Sequence, residues 1–157
     1  MGKIEEEMRY IVRNYVESEK KLCQRGNVEG SIEVETELGK ADYVCIHPYR
    51  SGFCVNIFEI KTPPEIKSMS DIKRAIKELL VYSAAIRFHE NYKHCKYYRC
   101  YLVVDVSSFK KGVIKKKDLN DIVKRYQLGL LITDLRIKRV EEKIRPKPGS
   151  YKSVDCY

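Results

Sequence analysis

The sequence predicts an α/β (α+β) fold in which helices flank a mixed central sheet. Three observations predict it: an amphipathic helical pattern from Ile4 to about Cys23, three alternating segments between Ile32 and Lys61, and a near-continuous apolar run over Tyr98 to Val106. The last pattern is typical of a strand buried on both faces. With 157 residues the chain is most economically one domain, which we place at 1–145, followed by a C-terminal tail at 146–157.

The first helix is predicted by apolar residues that share one face of a 3.6-residue period. One charged residue disturbs this stripe: at 100° per residue Glu19 projects close to its middle, whereas Glu6 and Glu17 point to the opposite side. A carboxylate is seldom buried without a partner, so Glu19 is a candidate for a metal site or a catalytic centre. The alternative is that Glu19 lies where the helix end frays into solvent. The stripe consists of Ile4, Met8, Ile11, Val12, Tyr15 and Leu22.

The segment after this helix is predicted to form an antiparallel meander. Alternation over residues 32–37 indicates a half-buried strand, and a tight turn at 38–40 leads into a second strand that starts near Asp42. Turn-forming residues at 48–52 then lead into a third strand over residues 53–61. Two prolines end that strand.

The second half is predicted to alternate helices and strands. Asp71 is a candidate N-cap for a helix on which Glu78 and Tyr82 are adjacent, alongside Arg74. Its core face would contain Ile72, Ala75, Ile76, Leu79, Leu80, Ser83 and Ile86. After the strand at residues 98–106, the patterns predict a helix over 117–126 and strands over 129–134 and 135–140.

The charge is distributed unevenly. The chain carries a net charge of +9; residues 1–60 contain 8 Lys or Arg against 11 Asp or Glu, whereas residues 61–157 contain 23 against 11. A basic surface interleaved with tyrosines favours phosphate backbones and unpaired bases. A lysine-rich surface is also typical of proteins from hyperthermophiles. No apolar run reaches the length of a membrane span, so we expect a cytoplasmic protein, or one in the host cytoplasm if it is viral.

The six cysteines show no CxxC pair, which gives a structural zinc site little support. Cys45 and Cys54 fall on the two arms of the predicted hairpin. A disulfide between them would suit an intracellular protein of a hyperthermophile.

The strongest functional pattern is Glu59-Ile60-Lys61 read together with Asp42. In an extended strand Glu59 and Lys61 project from one face, and a hairpin would bring Asp42 beside them. Two carboxylates and a lysine could hold a divalent metal and a water. The alternative is an ordinary solvated strand face.

The order of elements and acids resembles the PD-(D/E)XK nuclease superfamily, and especially archaeal Holliday-junction resolvases and RecB-like nucleases. That family has a restriction-endonuclease-like αβββαβ core with an acid on the first helix, an Asp at the second strand and a Glu/Asp-apolar-Lys on the third. Glu19, Asp42 and Glu59-Ile60-Lys61 occupy those places in order. Glu78 and Tyr82 are similar to the Gln-xxx-Tyr element of RecB-like members, with Glu in place of Gln.

The resemblance implies a Mg²⁺- or Mn²⁺-dependent DNA endonuclease. Hard oxygen ligands suit these ions, so Asp42, Glu59 and the Ile60 carbonyl are the expected ligands, with Glu19 as a further one. Lys61 would orient the attacking water or neutralise the phosphate. Glu78, Tyr82 and Arg74 would contact DNA or brace the lysine.

Two alternatives stay open. One is a protein that keeps the nuclease fold and binds nucleic acid without cutting it, since fold does not fix function. The other is a structural or interaction protein of a thermophile or its virus, with tyrosines forming a homodimer interface.

Overall fold

A computed structural model describes residues 2–19, 22–23, 31–36 and 38–151. The chain begins with helix α1, Lys3–Asn14, which passes directly into a π-helical turn, Tyr15–Glu19. The observed helix therefore ends earlier than the helix predicted from the apolar pattern, which extended to about Cys23. Leu22 and Cys23 are buried beyond the helix rather than on it.

Seven strands, two further α-helices and two 3-10 helices, Pro63–Glu65 and Val106–Gly112, follow in the described part of the chain. The order of the strands and α-helices is β1–β2–β3–α2–β4–α3–β5–β6–β7, which confirms the predicted αβββαβ core. The bounds are β1 Ser31–Thr36, β2 Gly39–Tyr49, β3 Gly52–Lys61, α2 Met69–Ile86, β4 Tyr97–Asp105, α3 Lys116–Arg125, β5 Gly129–Asp134, β6 Arg139–Ile144 and β7 Gly149–Ser150.

The strands form one mixed sheet in the spatial order β1-β2-β3-β4-β5-β6, with β7 paired to β4. The β1–β2–β3 meander is antiparallel, β3–β4 and β4–β5 are parallel, and β6 returns antiparallel to β5. The parallel pairs require crossovers, which α2 and α3 supply. The fold class is thus the predicted α+β architecture with helices on a mixed sheet.

The sheet has a hydrophobic core on each face. On one face Ile57, Leu102 and Leu130 pack beneath α2 and α3. On the other face Phe58 and Tyr101 pack beneath α1. Because side chains alternate along a strand, β3 and β4 contribute to both cores, which explains their nearly continuous apolar sequences.

The start of α2 differs from the prediction by three residues. Ser68 is the N-cap, and Asp71 is the third helical residue, whose carboxylate accepts hydrogen bonds from the backbone N–H groups of Ser68 and Lys67. This is a capping box, in which the acid at the third position satisfies a backbone donor before the helix. The prediction of Asp71 as the N-cap is therefore wrong in position, although the acid does cap the helix. Of the predicted core face, Leu80 is exposed at the edge of the helix.

The end of the chain also differs from the prediction. The strand predicted over residues 135–140 is a turn followed by β6, which begins at Arg139. Within the predicted tail, Gly149–Ser150 pairs with β4, and the Tyr151 hydroxyl donates to the Ser83 carbonyl at 2.7 Å. The residues of the tail beyond 151 lie outside the described part.

The sequence left open whether Cys45 and Cys54 cross-link, and in the structure they do not. Cys45 forms a disulfide with Cys23, and Cys54 is a buried free thiol. The register of the hairpin explains the difference, because it places Asn56 opposite Cys45 and His47 opposite Cys54. The disulfide therefore ties the segment after α1 to β2.

No helix within the described residues combines the length and the apolar character that crossing a membrane would require.

Candidate active site

The candidate site begins where β2 and β3 separate. Their paired residues end at Tyr43 and Phe58, so Asp42 and Glu59 stand just beyond the last pair. The Ile60 N–H then donates to Asp42 Oδ2 at 2.7 Å. A side-chain carboxylate thus replaces the backbone acceptor that continued strand pairing would provide. This hydrogen bond holds the Asp42 side chain against β3 at Ile60.

Glu59 is the buried carboxyl group of the site. It is only 3% exposed. Side chains two residues apart on a strand point to the same face, so Glu59 lies with Ile57 on the face of the sheet that α2 covers. Burial, followed by a hydrogen bond and like charge from Asp42, raises the pKa of Glu59 to about 11. Two negative charges at Glu59 and Asp42 are therefore unfavourable unless a proton or a bound cation lies between the two carboxyl groups.

Lys61 follows on the same face and lies among carboxylates. Its Nζ donates to Glu78 Oε2 at 3.1 Å and lies 3.9 Å from Glu65 Oε2. Burial lowers the pKa of Lys61, but the nearby charges of Glu59, Glu78 and Glu65 outweigh it and raise the pKa above its usual value. The side chain is therefore an ammonium group, which suits an electrostatic role and does not suit a free general base.

Tyr82 closes the site one helical turn after Glu78. A Cβ atom built on Gly39 would lie 2.7 Å from Tyr82 Cε1, so the ring rests directly on that glycine. Burial and the charges of Glu59 and Glu78 raise the pKa of the Tyr82 hydroxyl, which therefore stays neutral. The structure thus brings together Asp42, Glu59, Lys61, Glu78 and Tyr82 from three different elements.

Two residues of this neighbourhood were missed by sequence analysis. Arg9 of α1 is buried, and its Nη2 lies 3.1 Å from Glu5 Oε1 and 3.9 Å from Asp42 Oδ1. The i,i+4 spacing of Glu5 and Arg9 is a signal that could have found the pair. Glu65 caps the turn after β3 through Thr62, and the Thr-x-x-Glu spacing is the corresponding signal.

The remaining predicted site residues are Arg74 and Glu19. Arg74 is 71% exposed and its ion pair is with Asp71 at 4.0 Å. Glu19 ends the π-helical turn, and its side chain lies outside the described part of the chain.

The π-helical turn changes the direction in which Glu17 points. Glu17, predicted to face away from the core, is largely buried and accepts a hydrogen bond from the Tyr43 hydroxyl at 2.5 Å. A π-helical turn has more residues than an α-helical turn, so the 100° spacing does not hold across it. This is why the helical projection fails for Glu17.

The donor set at the site suits a small divalent cation. Over the described residues, no group of three or more His, Cys, Asp and Glu side chains is arranged to hold a metal ion. However, Mg²⁺ keeps several waters and commonly takes only one or two protein carboxylates. A bound cation would offset the repulsion between the buried Glu59 carboxylate and the neighbouring Asp42 carboxylate.

Among known proteins, the chain is similar only in fold to the solved structures described below. No family model matches the chain, and no curated protein matches it. Among solved structures, it is similar to an XisH family protein from Nostoc punctiforme PCC 73102, with 16% identity and a TM-score of 0.51, covering 86% of this chain and 96% of that chain. It is also similar to an FdxN element excision controlling factor protein from Anabaena variabilis, with 15% identity and a TM-score of 0.52, covering 87% of this chain and 96% of that one. At this level of identity, the likeness is one of fold.

Proposed function

We propose that the protein is a metal-dependent nuclease that hydrolyses DNA phosphodiester bonds. The observation that carries this proposal is the buried Glu59 carboxyl beside Asp42, with the Lys61 ammonium two residues along the same strand face. These are the groups that a PD-(D/E)XK nuclease requires, in the required order. An ordinary solvated strand face would not leave its glutamate only 3% exposed, since an unpaired buried carboxyl is costly.

The residues divide the chemistry between them. Asp42, Glu59 and the Ile60 carbonyl would hold Mg²⁺ or Mn²⁺, and the bound ion would supply an activated water and stabilise charge on the phosphate. Lys61 contributes positive charge where the phosphate becomes more negative. Glu78 holds the lysine in place through their 3.1 Å hydrogen bond.

The substrate class follows from charge. The helices on the Glu59 face present exposed cations, with Lys73 and Lys77 on α2 and Lys124 and Arg125 on α3. A basic surface beside the acidic cluster would bind the DNA backbone, and the scissile phosphate would then lie next to the metal. Linear, single-stranded and branched DNA all carry the phosphate backbone that this surface attracts, so each is a substrate to test.

The test is a cleavage assay on linear duplex, single-stranded and four-way-junction DNA with Mg²⁺, Mn²⁺ or chelator. Cleavage should require the metal and fall by at least about 100-fold in Asp42→Asn, Glu59→Gln and Lys61→Met, because each variant removes charge from the site and keeps a side chain of similar size. Glu141→Gln and Lys143→Ala, a surface pair on β6, are the matched controls and should cleave normally. Wild-type rates in both Asp42→Asn and Lys61→Met would refute the assignment.

A second candidate is a protein that binds DNA without cutting it. One observation favours it: among the described residues, no group of three or more His, Cys, Asp and Glu side chains is arranged to hold a metal ion. One of the similar structures is also named as a factor that controls excision. Salt-sensitive DNA binding that is unchanged by chelator, with no cleavage of any of the three substrates, would identify this function.

A further inference from the structure

Arg99 is a buried cation on the side of the sheet opposite the candidate active site. It lies on β4 next to Asn56 of β3, and it shares the α1 face with Tyr101. The residue is 9% exposed, and its Nε and Nη1 atoms have no hydrogen-bond partner among the described residues. A guanidinium has five N–H donors and keeps its charge, so this position has an unmet need for acceptors.

Among the described residues, the groups around Arg99 supply more donors and no free carboxylate. Its guanidinium carbon lies 5.9 Å from the centre of the Tyr49 ring. The nearby Arg145 is already bound to Glu142, through Nε contacts of 3.0 and 3.1 Å, and Glu142 also accepts from Tyr101. Glu142, the carboxylate that the described residues place in this neighbourhood, is therefore already engaged.

His47 adds a neutral donor to the same neighbourhood. The Asn56 amide nitrogen lies 2.9 Å from His47 Nδ1 and donates to it, which leaves the ring proton on Nε2. Burial, followed by the charge of Arg99, lowers the pKa of His47 to about 4; a hydrogen bond with the Leu22 backbone acts in the opposite direction, and Arg145 adds a smaller lowering. Both arginines thus act on one imidazole.

An uncompensated buried cation is costly, and a bound anion would remove the cost. The planar donor fork of arginine matches the oxygens of phosphate. Because so little of Arg99 is exposed, the group that reaches it must be small, as a terminal phosphate is. The position is also separate from the acidic cluster: Arg99 pairs with Asn56, five residues before Lys61, which is about 16 Å along the strand.

We propose that Arg99, with Arg145 and His47, forms a second site that binds a terminal phosphate group, free or at the end of a nucleic-acid strand. The site does not depend on cleavage. It accounts for a charged residue that the core would otherwise bury without compensation.

The first test is thermal unfolding in phosphate and in chloride at equal ionic strength. Phosphate should raise the Tm of the wild type and leave the Tm of Arg99→Met unchanged. In chloride, Arg99→Met should be at least as stable as the wild type, because the variant removes an unpaired buried charge. Arg136→Met, an arginine with a 78% exposed side chain, is the matched control and should respond to phosphate as the wild type does.

The second test needs no variant and follows the His47 ring by NMR while inorganic phosphate is added. Bound phosphate should shift the ring resonances and raise the pKa of His47. A short oligonucleotide with a 5′-phosphate, compared with the same strand without it, separates the two sources: tighter binding of the phosphorylated strand identifies a strand end, and equal binding identifies free phosphate. A wild type whose Tm and His47 signals ignore phosphate would overturn the proposal, as would an Arg99→Met variant that still responds.

Discussion

Asp42 shows how one residue can serve structure and chemistry together. Its carboxylate accepts the Ile60 N–H at 2.7 Å and lies 3.9 Å from Arg9, while it also stands beside Glu59. A substitution that removes the whole side chain therefore changes two things at once. The loss of activity in such a variant would not by itself identify a metal ligand.

The two roles of Asp42 can be separated by comparing two variants. Asp42→Ala leaves the Ile60 N–H without an acceptor and should lower the free energy of unfolding by about 1–3 kcal/mol. Asp42→Asn retains an acceptor oxygen and should unfold near the wild type, yet lose metal-dependent cleavage. Urea unfolding monitored by circular dichroism measures the difference, and equal stability of the two variants would show that the hydrogen bond contributes little.

At the scale of elements, the turn that begins β2 positions the residue that closes the site. Gly39 has φ of +135°, a conformation that other residues rarely adopt, and the Tyr82 ring of α2 rests on it. The glycine thus joins the β1–β2 turn to the helix that carries Glu78. The sequence signals a turn here, and the helix contact depends on the packing of α2 over the sheet.

Gly39→Ala is therefore expected to act on both stability and activity. The added Cβ meets Tyr82 Cε1 at 2.7 Å and also strains the backbone, so the Tm should fall and cleavage should weaken as Tyr82 is displaced. Gly52→Ala is the control in the neighbouring turn, where the Cβ meets the flexible Lys96 side chain at 3.3 Å. A Gly39→Ala variant as stable and active as the control would show that Tyr82 adjusts without cost.

At the scale of the whole molecule, the two faces of the sheet differ in what they offer. The α2–α3 face carries the acidic cluster and a groove lined by Lys73, Lys77 and Arg125. The opposite face carries α1, the Cys23–Cys45 disulfide and Arg99. If DNA binds the first face, the cations there should determine the dependence of binding on salt.

Salt titration of DNA binding tests this arrangement. Replacing Lys73 and Lys77 by Gln should weaken binding and make the slope of log K against log[salt] shallower by about 0.9 for each phosphate that the protein no longer neutralises. A matched pair on the other side, Lys138→Gln with Arg139→Gln, lies in a groove beside Tyr10 and Asn14 of α1 and should leave the slope almost unchanged. Equal slopes for the two double variants would place the DNA elsewhere.

The sequence by itself determined the order of elements and the residues of the strand motif. Helical and strand periods follow directly from which side chains must be buried, so the αβββαβ order and the positions of Asp42, Glu59 and Lys61 could be predicted. Glu78 and Tyr82 followed from their helical spacing and a family resemblance.

Only the tertiary structure decided which groups meet. The burial of Arg9 beside Asp42, the choice of Cys23 as the partner of Cys45, and the isolation of Arg99 depend on contacts between residues far apart in the chain. The π-helical turn redirected Glu17, because a local change of helical period is decided by packing against Tyr43. Periodicity fixes the face of an element on which a residue lies, and the residue's partner depends on which elements pack together.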